Sequence, residues 1–258
     1  MLFPCGDVSL AGVLHPGLRS TGILFVAGGR QTRVGPHRLF VALAEMLSAA
    51  GYPSLRFDRR GVGDSEGDDV GFEAAGDDIA AAAAALRTAC PHVETVAGLG
   101  LCDGAAALLL HGRAAGVGPV VLLNCWSSDP GEGAALPPKA VRQRYLDRLL
   151  SAGAWRRLVA GDVDVVGALR GLLATRQAPA TGALGKRLAA AIAGHQAPIL
   201  ALQSSRDRTA QLFQPIAESA GAAIEIATLP GADHTLTLPE DRATAFAATC
   251  RFLATAAA

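Results

Sequence analysis

Val96-Ala97-Gly98-Leu99-Gly100-Leu101-Cys102-Asp103-Gly104-Ala105-Ala106 carries an apolar run through a Gly-x-Cys-x-Gly turn and straight into a helix-forming segment. A nucleophile displayed on a sharp strand-to-helix turn needs small neighbours, because the turn is crowded and its backbone strained. Gly100 and Gly104 meet that need. The helix start beyond Cys102 adds partial positive charge and free N–H groups, which favour the reactive thiolate. The spacing is that of a Gly-x-Ser-x-Gly elbow with cysteine in the serine position.

Two other readings compete. A lone cysteine at a strand end can serve packing alone. Gly98, Gly100 and Gly104 also follow a strand and open a helix, as a dinucleotide turn does. Their spacing departs from G-x-G-x-x-G, however, and the next strand ends in Asn124 where that site wants an acidic residue.

A nucleophile needs a base, and the base needs an acid to orient it. On this kind of sheet the chain order is nucleophile, acid, histidine, each partner following a strand. Ile199 to Leu202 leads into Gln203-Ser-Ser-Arg-Asp207, and Ile224 to Leu229 leads into Pro230-Gly-Ala-Asp-His234. Cys102, Asp207 and His234 are therefore the expected triad, with Asp129 as the fallback acid. The oxyanion donors are expected to be the N–H of Asp103 and that of Gly29 or Arg30, in the loop that follows the strand Gly22–Val26.

Working outward, strand-length apolar runs alternate with helix-length segments, which predicts an α/β fold: a mostly parallel sheet with helices on both faces. Strands are expected at Val8–Leu14, Gly22–Val26, Pro53–Phe57, Val93–Leu99, Val120–Asn124, Ile199–Leu202 and Ile224–Leu229. Helices are expected near His37–Ala50, Phe72–Ala89, Gly104–Ala114 and Glu240–Ala256. Residues 127–196 break the alternation and read as a helical cap inserted between a core of 1–126 and 197–258. They hold ten Lys/Arg against five Asp/Glu, so a cap over the site would favour an anionic acyl substrate.

Over the 258 residues, Lys+Arg 23 balances Asp+Glu 23, which argues against a dedicated nucleic-acid or polybasic membrane binder. Aromatic residues at 5% offer no base-stacking platform. The five cysteines form no C-x-x-C pair, so neither a disulfide framework nor structural zinc is expected. No apolar run reaches the ~18–20 residues that span a bilayer, and Met1 to Asp7 lacks a signal-peptide pattern. A cytoplasmic protein without metal or organic cofactor is expected.

GGRQTRVGPHRLF (Gly28–Phe40), RFDRRGVGDSEGD (Arg56–Asp68), GLCDGAA (Gly100–Ala106) and LLNCW (Leu122–Trp126) resemble the first of two α/β-hydrolase families associated with exosortase A systems. The resemblance implies an α/β-hydrolase fold over nearly the whole chain and an accessory role near exopolysaccharide production and protein sorting. Ala27 stands where many such proteins carry the histidine of a His-Gly oxyanion motif. Cys102 in place of serine is similar to the elbows of dienelactone hydrolases and polyhydroxyalkanoate synthases, although the chain is short for a synthase. The expectation is hydrolysis of an ester, lactone or thioester through an acyl-enzyme. Acyl transfer through the same intermediate and a non-catalytic binding protein are the alternatives.

Overall fold

The computed structural model describes residues 1–129 and 182–256. Among them, β1 (Leu2–Cys5), β2 (Val8–His15), β3 (Thr21–Val26), β4 (Ser54–Phe57), β5 (Thr95–Leu101), β6 (Val120–Leu123), β7 (Ile199–Ser204) and β8 (Glu225–Leu229) build one sheet. Their spatial order is β1-β2-β4-β3-β5-β6-β7-β8. β2 pairs antiparallel with both β1 and β4, and every pairing from β4 through β3 to β8 is parallel.

Parallel pairs need crossovers, and the crossovers cover both faces with helices. That is why β3 and β6 are buried along their whole length and read as unbroken apolar runs. On one face lie α1 (Leu39–Ala49) and α6 (Pro239–Ala256); on the other lie α2 (Gly76–Ala89), α3 (Asp103–His111), α4 (Ala183–Gly194) and α5 (Arg208–Ser219). In α1 the buried residues Leu39, Phe40, Leu43 and Leu47 recur at helical spacing and face Phe25 and Leu99 across the layer. Each fully buried leucine or phenylalanine of this kind contributes roughly 1.5–3 kcal/mol relative to exposure.

The register decides where the chemistry can sit. Val26 pairs with Gly100, Leu101 with Leu123, Leu123 with Leu202 and Ser204 with Leu229. The carboxyl ends of five adjacent strands are thereby level, and the loops that leave them share one rim. Between β3 and β5 the winding reverses, since the chain passes from β3 to β4 on one side before returning to β5 on the other. Such a reversal opens a crevice at the carboxyl ends.

Two elements have no counterpart in the sequence reading. β1 is only four residues long and includes Pro4; it survives as the antiparallel edge strand, where proline is tolerated. α5 contains Pro215, a breaker signal, yet continues because Phe213, Ile216 and Ala217 bury its apolar side. Of the expected insertion, 130–181 lies outside the described residues. Its last part is α4, whose Leu184, Leu188 and Ile192 are buried with the core beneath the sheet. This helix packs against α3 and α5. Residues 183–194 thus pack within the helical layer on this face of the sheet.

No helix among the described residues is long and apolar enough to cross a membrane. No group of three or more His, Cys, Asp or Glu among them is placed to hold a metal ion.

Candidate active site

Cys102 leaves β5 with φ 59 and ψ −124, a conformation costly for any residue with a side chain. Strain of this kind runs to about 1–3 kcal/mol and persists only where the surroundings enforce it. Two hydrogen bonds do so: Cys102 N–H donates to Leu123 O at 3.0 Å, and Trp126 N–H donates to Cys102 O at 3.0 Å. β6 and its extension thus grip the elbow from both sides. A Cβ on Gly100 would lie 2.7 Å from Ala105 Cα, and one on Gly104 would lie 2.3 Å from Val26 O. Only glycine lets α3 start this close to β5 and β3.

Asp207 and His234 reach the same rim from the ends of β7 and β8. His234 Nδ1 donates to Asp207 Oδ2 at 2.9 Å, and the Cys102 side chain is close enough to His234 to affect its titration. The structure brings the three together in the order Asp207–His234–Cys102. Asp207 is buried and serves twice, since its carboxylate also accepts from Thr209 N–H at 3.1 Å and Ala210 N–H at 3.0 Å as the N-cap of α5. The hydrogen bond to Asp207, then that to Cys102, push His234 up from 6.5 to about 10, against burial that pulls it down. The imidazole is thus held protonated at neutral pH, which puts a cation beside the Cys102 sulfur.

Asn124 is a site residue that sequence reasoning used only as the end of a strand. It is fully buried, takes φ 46, and uses its amide completely. Its Nδ2 donates to Ser204 Oγ at 2.9 Å and to His234 O at 2.8 Å, and its Oδ1 accepts from Ser204 N–H at 2.8 Å. One side chain thus ties β6 and β7 to the histidine loop. Asp233 shapes the same loop by accepting from the N–H groups of Thr235 and Thr237, both at 3.1 Å.

The oxyanion side differs from expectation in one respect. Gly29 N–H is not open to the cleft: it donates to Asp103 Oδ1. Arg30 N–H has no acceptor among the described residues. The carbonyl of Gly29 accepts from the buried Arg59. Asp129, the fallback acid, accepts from Leu184 N–H at 2.9 Å at the start of α4 and is engaged there. Of the basic residues in 127–196, Arg187 pairs with Glu73, and those within 130–181 lie outside the described residues.

The sequence signature of the Alpha/beta hydrolase family matches residues 14–249. No curated protein sequence matches the chain. Among solved structures, the alpha/beta hydrolase GrgF from Penicillium sp. sh18 aligns at a TM-score of 0.69 and 16% identity, covering 99% of this chain and 97% of its own. Est1E from Butyrivibrio proteoclasticus, solved with ferulic acid bound, aligns at 0.65 and 14% identity over 98% and 99% of the two chains. A dienelactone hydrolase from Anabaena variabilis aligns at 0.64 and 16% identity over 99% and 96%. At these identities the likeness is one of fold.

Proposed function

The chain belongs to the alpha/beta hydrolase family, and on that footing we propose that it is a cysteine-dependent hydrolase of ester, lactone or thioester bonds. The observation that carries the reading is the strained Cys102 on the same rim as a His234 that hydrogen-bonds the buried Asp207. Est1E with its bound ferulic acid and a dienelactone hydrolase among the structural relatives support carboxylic acyl groups as the substrate class.

Each step follows from that arrangement. The Cys102 thiolate attacks the acyl carbon, the C–S bond forms, and the carbonyl electron pair moves to oxygen, where the N–H of Asp103 and a donor from the Gly29–Arg30 loop face it. Collapse of the tetrahedral intermediate expels the leaving group, which takes the proton from His234 Nε2. The imidazole, now neutral, accepts a proton from water; the hydroxide adds to the thioester and Cys102 departs as thiolate, restoring the ion pair. Asp207 holds the ring so that Nε2 faces the sulfur throughout. No metal or organic cofactor enters this sequence.

The resemblance of the four motif stretches to an exosortase-associated family supports an accessory role near exopolysaccharide production, with a small acyl-bearing molecule as partner. The test is intact mass spectrometry after brief exposure to p-nitrophenyl acetate or acetyl-CoA. An acetyl adduct on the parent protein and none on Cys102→Ala is the expected result. An adduct that survives in Cys102→Ala, or turnover at the parental rate in that variant, overturns the assignment. An adduct discharged only by an added alcohol or thiol would turn the reading to acyl transfer.

A further inference from the structure

Asp103 follows the nucleophile directly, and its backbone N–H is one of the groups assigned to the oxyanion. Its side chain turns back onto those same groups. The carboxylate accepts from Gly29 N–H, beside the first turn of α3. The space it occupies is tailored: a Cβ on Gly28 would lie 2.5 Å from Asp103 Oδ1 and 3.0 Å from Cys102 Cβ. Gly28 is what allows a carboxylate to sit between the β3 loop and the start of α3. The elbow sequence needs only a residue with an N–H at this position, so nothing in the nucleophile geometry calls for an acid here.

Resting on the acyl-enzyme reading above, we infer that the Asp103 carboxylate is a built-in occupant of the oxyanion cradle, which the acyl oxygen of a substrate must expel before Cys102 can be acylated. Gly29 N–H, one of the groups that would stabilise the developing oxyanion, is already donating to an anion, and two anions do not share one cradle. Arg59 is the cation at hand when the carboxylate leaves. It is buried, its guanidinium donates to Gly29 O on the far side of the same peptide, and it already attracts Asp103. Asp103 thus has two stations, the amide cradle and Arg59, and the substrate chooses between them. As a group in contact with the reacting oxygen's site, it sets how readily acyl carbonyls enter.

The experiment compares two reactions of the same sulfur. Acylation by p-nitrophenyl acetate passes through a tetrahedral oxyanion; alkylation by iodoacetamide is a direct displacement and needs no oxyanion site. Rates of both at Cys102 are followed by mass spectrometry in the parent, Asp103→Ser and Asp103→Asn. Serine is too short to fill the cradle, so the ratio of acylation to alkylation should rise about tenfold, the scale of one charge-assisted hydrogen bond. Asparagine removes the charge but keeps an oxygen on Gly29 N–H, so its rise should be smaller. A ratio in Asp103→Ser at or below the parental value overturns the inference, as does an equal rise in both variants, which would assign the effect to charge alone. Asp103→Ala repeats the measurement if the serine variant fails to fold. Should Cys102 alkylate in every protein but acylate in none, the acyl-enzyme reading itself fails; acylation intact with a flat ratio removes only the role given to Asp103.

Discussion

Cys5 and Cys102 both meet ionisable side chains, yet the two thiols face fields of opposite sign. The Cys5 thiol is buried beside Asp78, donating to its Oδ1 at 3.5 Å; burial, then the Asp78 charge, push it up, and Arg60 at 3.3 Å only partly offsets them. Cys102 lies at a helix start on a crevice rim, beside a histidine held protonated chiefly by its hydrogen bond to Asp207. A thiol that donates to a buried carboxylate is packing; on the proposed mechanism, a thiol at a helix start beside a cation is placed for nucleophilic attack. The difference comes from which element each residue ends, since β1 delivers Cys5 to the start of α2, where Asp77 and Asp78 lie. β5 delivers Cys102 to the rim where β7 and β8 also end.

The largest effect expected separates the two sulfurs outright. Cys102→Ala should lower turnover of a p-nitrophenyl ester by at least about a thousandfold, as loss of a nucleophile does. Cys5→Ala should leave turnover intact and cost about 1–2 kcal/mol of stability through the small cavity and the lost hydrogen bond. Initial-rate assays and urea melts on both variants check the pair of outcomes; a Cys5 variant that loses turnover while folded would break the contrast.

Asp207→Asn attacks the contrast through the cation. Asparagine is as good an N-cap as aspartate, so α5 should hold and the melting temperature should move by only a few degrees. The hydrogen bond to a carboxylate that does most to lift His234 is gone, together with its charge, and the titration should fall from about 10 back toward 6.5. Turnover at neutral pH should drop by about 10²–10⁴, as when the orienting acid of a triad is made neutral. Cys102 alkylation should slow over the same range and recover part of its rate as pH is raised. Rates measured across pH would show the upper limb moved to lower pH if His234 is the group concerned and an unshifted upper limb if it is not.

Asp78→Ala is the matching change on the other side. Asp78 is fully buried and accepts from Arg60 N–H at 2.9 Å and Arg60 Nε at 2.6 Å as well as from Cys5. Removing it strands those donors and should cost about 2–3 kcal/mol in denaturant unfolding, with turnover preserved. A cost within 0.5 kcal/mol of zero, on the scale of an exposed pair, would mean that the Cys5 cluster is incidental.

What the sequence disclosed of all this follows from how local each requirement is. The elbow could be read because its constraints lie within five residues: an apolar strand, two glycines that leave room, and a helix start. Asp207 and His234 could be read because each follows a strand run, and the parallel register then brings strand ends level without further instruction. Asn124 could not, since its meaning exists only once β6, β7 and the loop after β8 are side by side and its backbone has turned to φ 46. The occupation of Gly29 N–H by Asp103 was equally hidden, because it depends on a side-chain direction that no spacing encodes. β1 and α5 were obscured by Pro4 and Pro215, whose breaker signals are overridden by an edge position and by a buried face.

The smallest effect is a slope in stability with pH, and its sign is fixed by the same contrast. His234 binds its proton more tightly in the folded chain, to about 10, than at its ordinary value of 6.5. Below 6.5 both states are protonated and the full stabilisation is present. Between 6.5 and 10 the folded state holds a proton that the unfolded state has released, so stability falls as pH rises, and above 10 the contribution is lost. Cys102 also contributes to the lift of His234, so the clean comparison is made in a Cys102→Ser background, with and without His234→Asn. There Asp207 still lifts His234, and the protein that keeps the histidine should lose melting temperature faster with rising pH. The gap between the two should narrow from pH 6.5 upward. Parallel curves would mean that Asp207 orients the ring without holding its proton, and the opposition between the two cysteines would then rest on position in the fold rather than on charge.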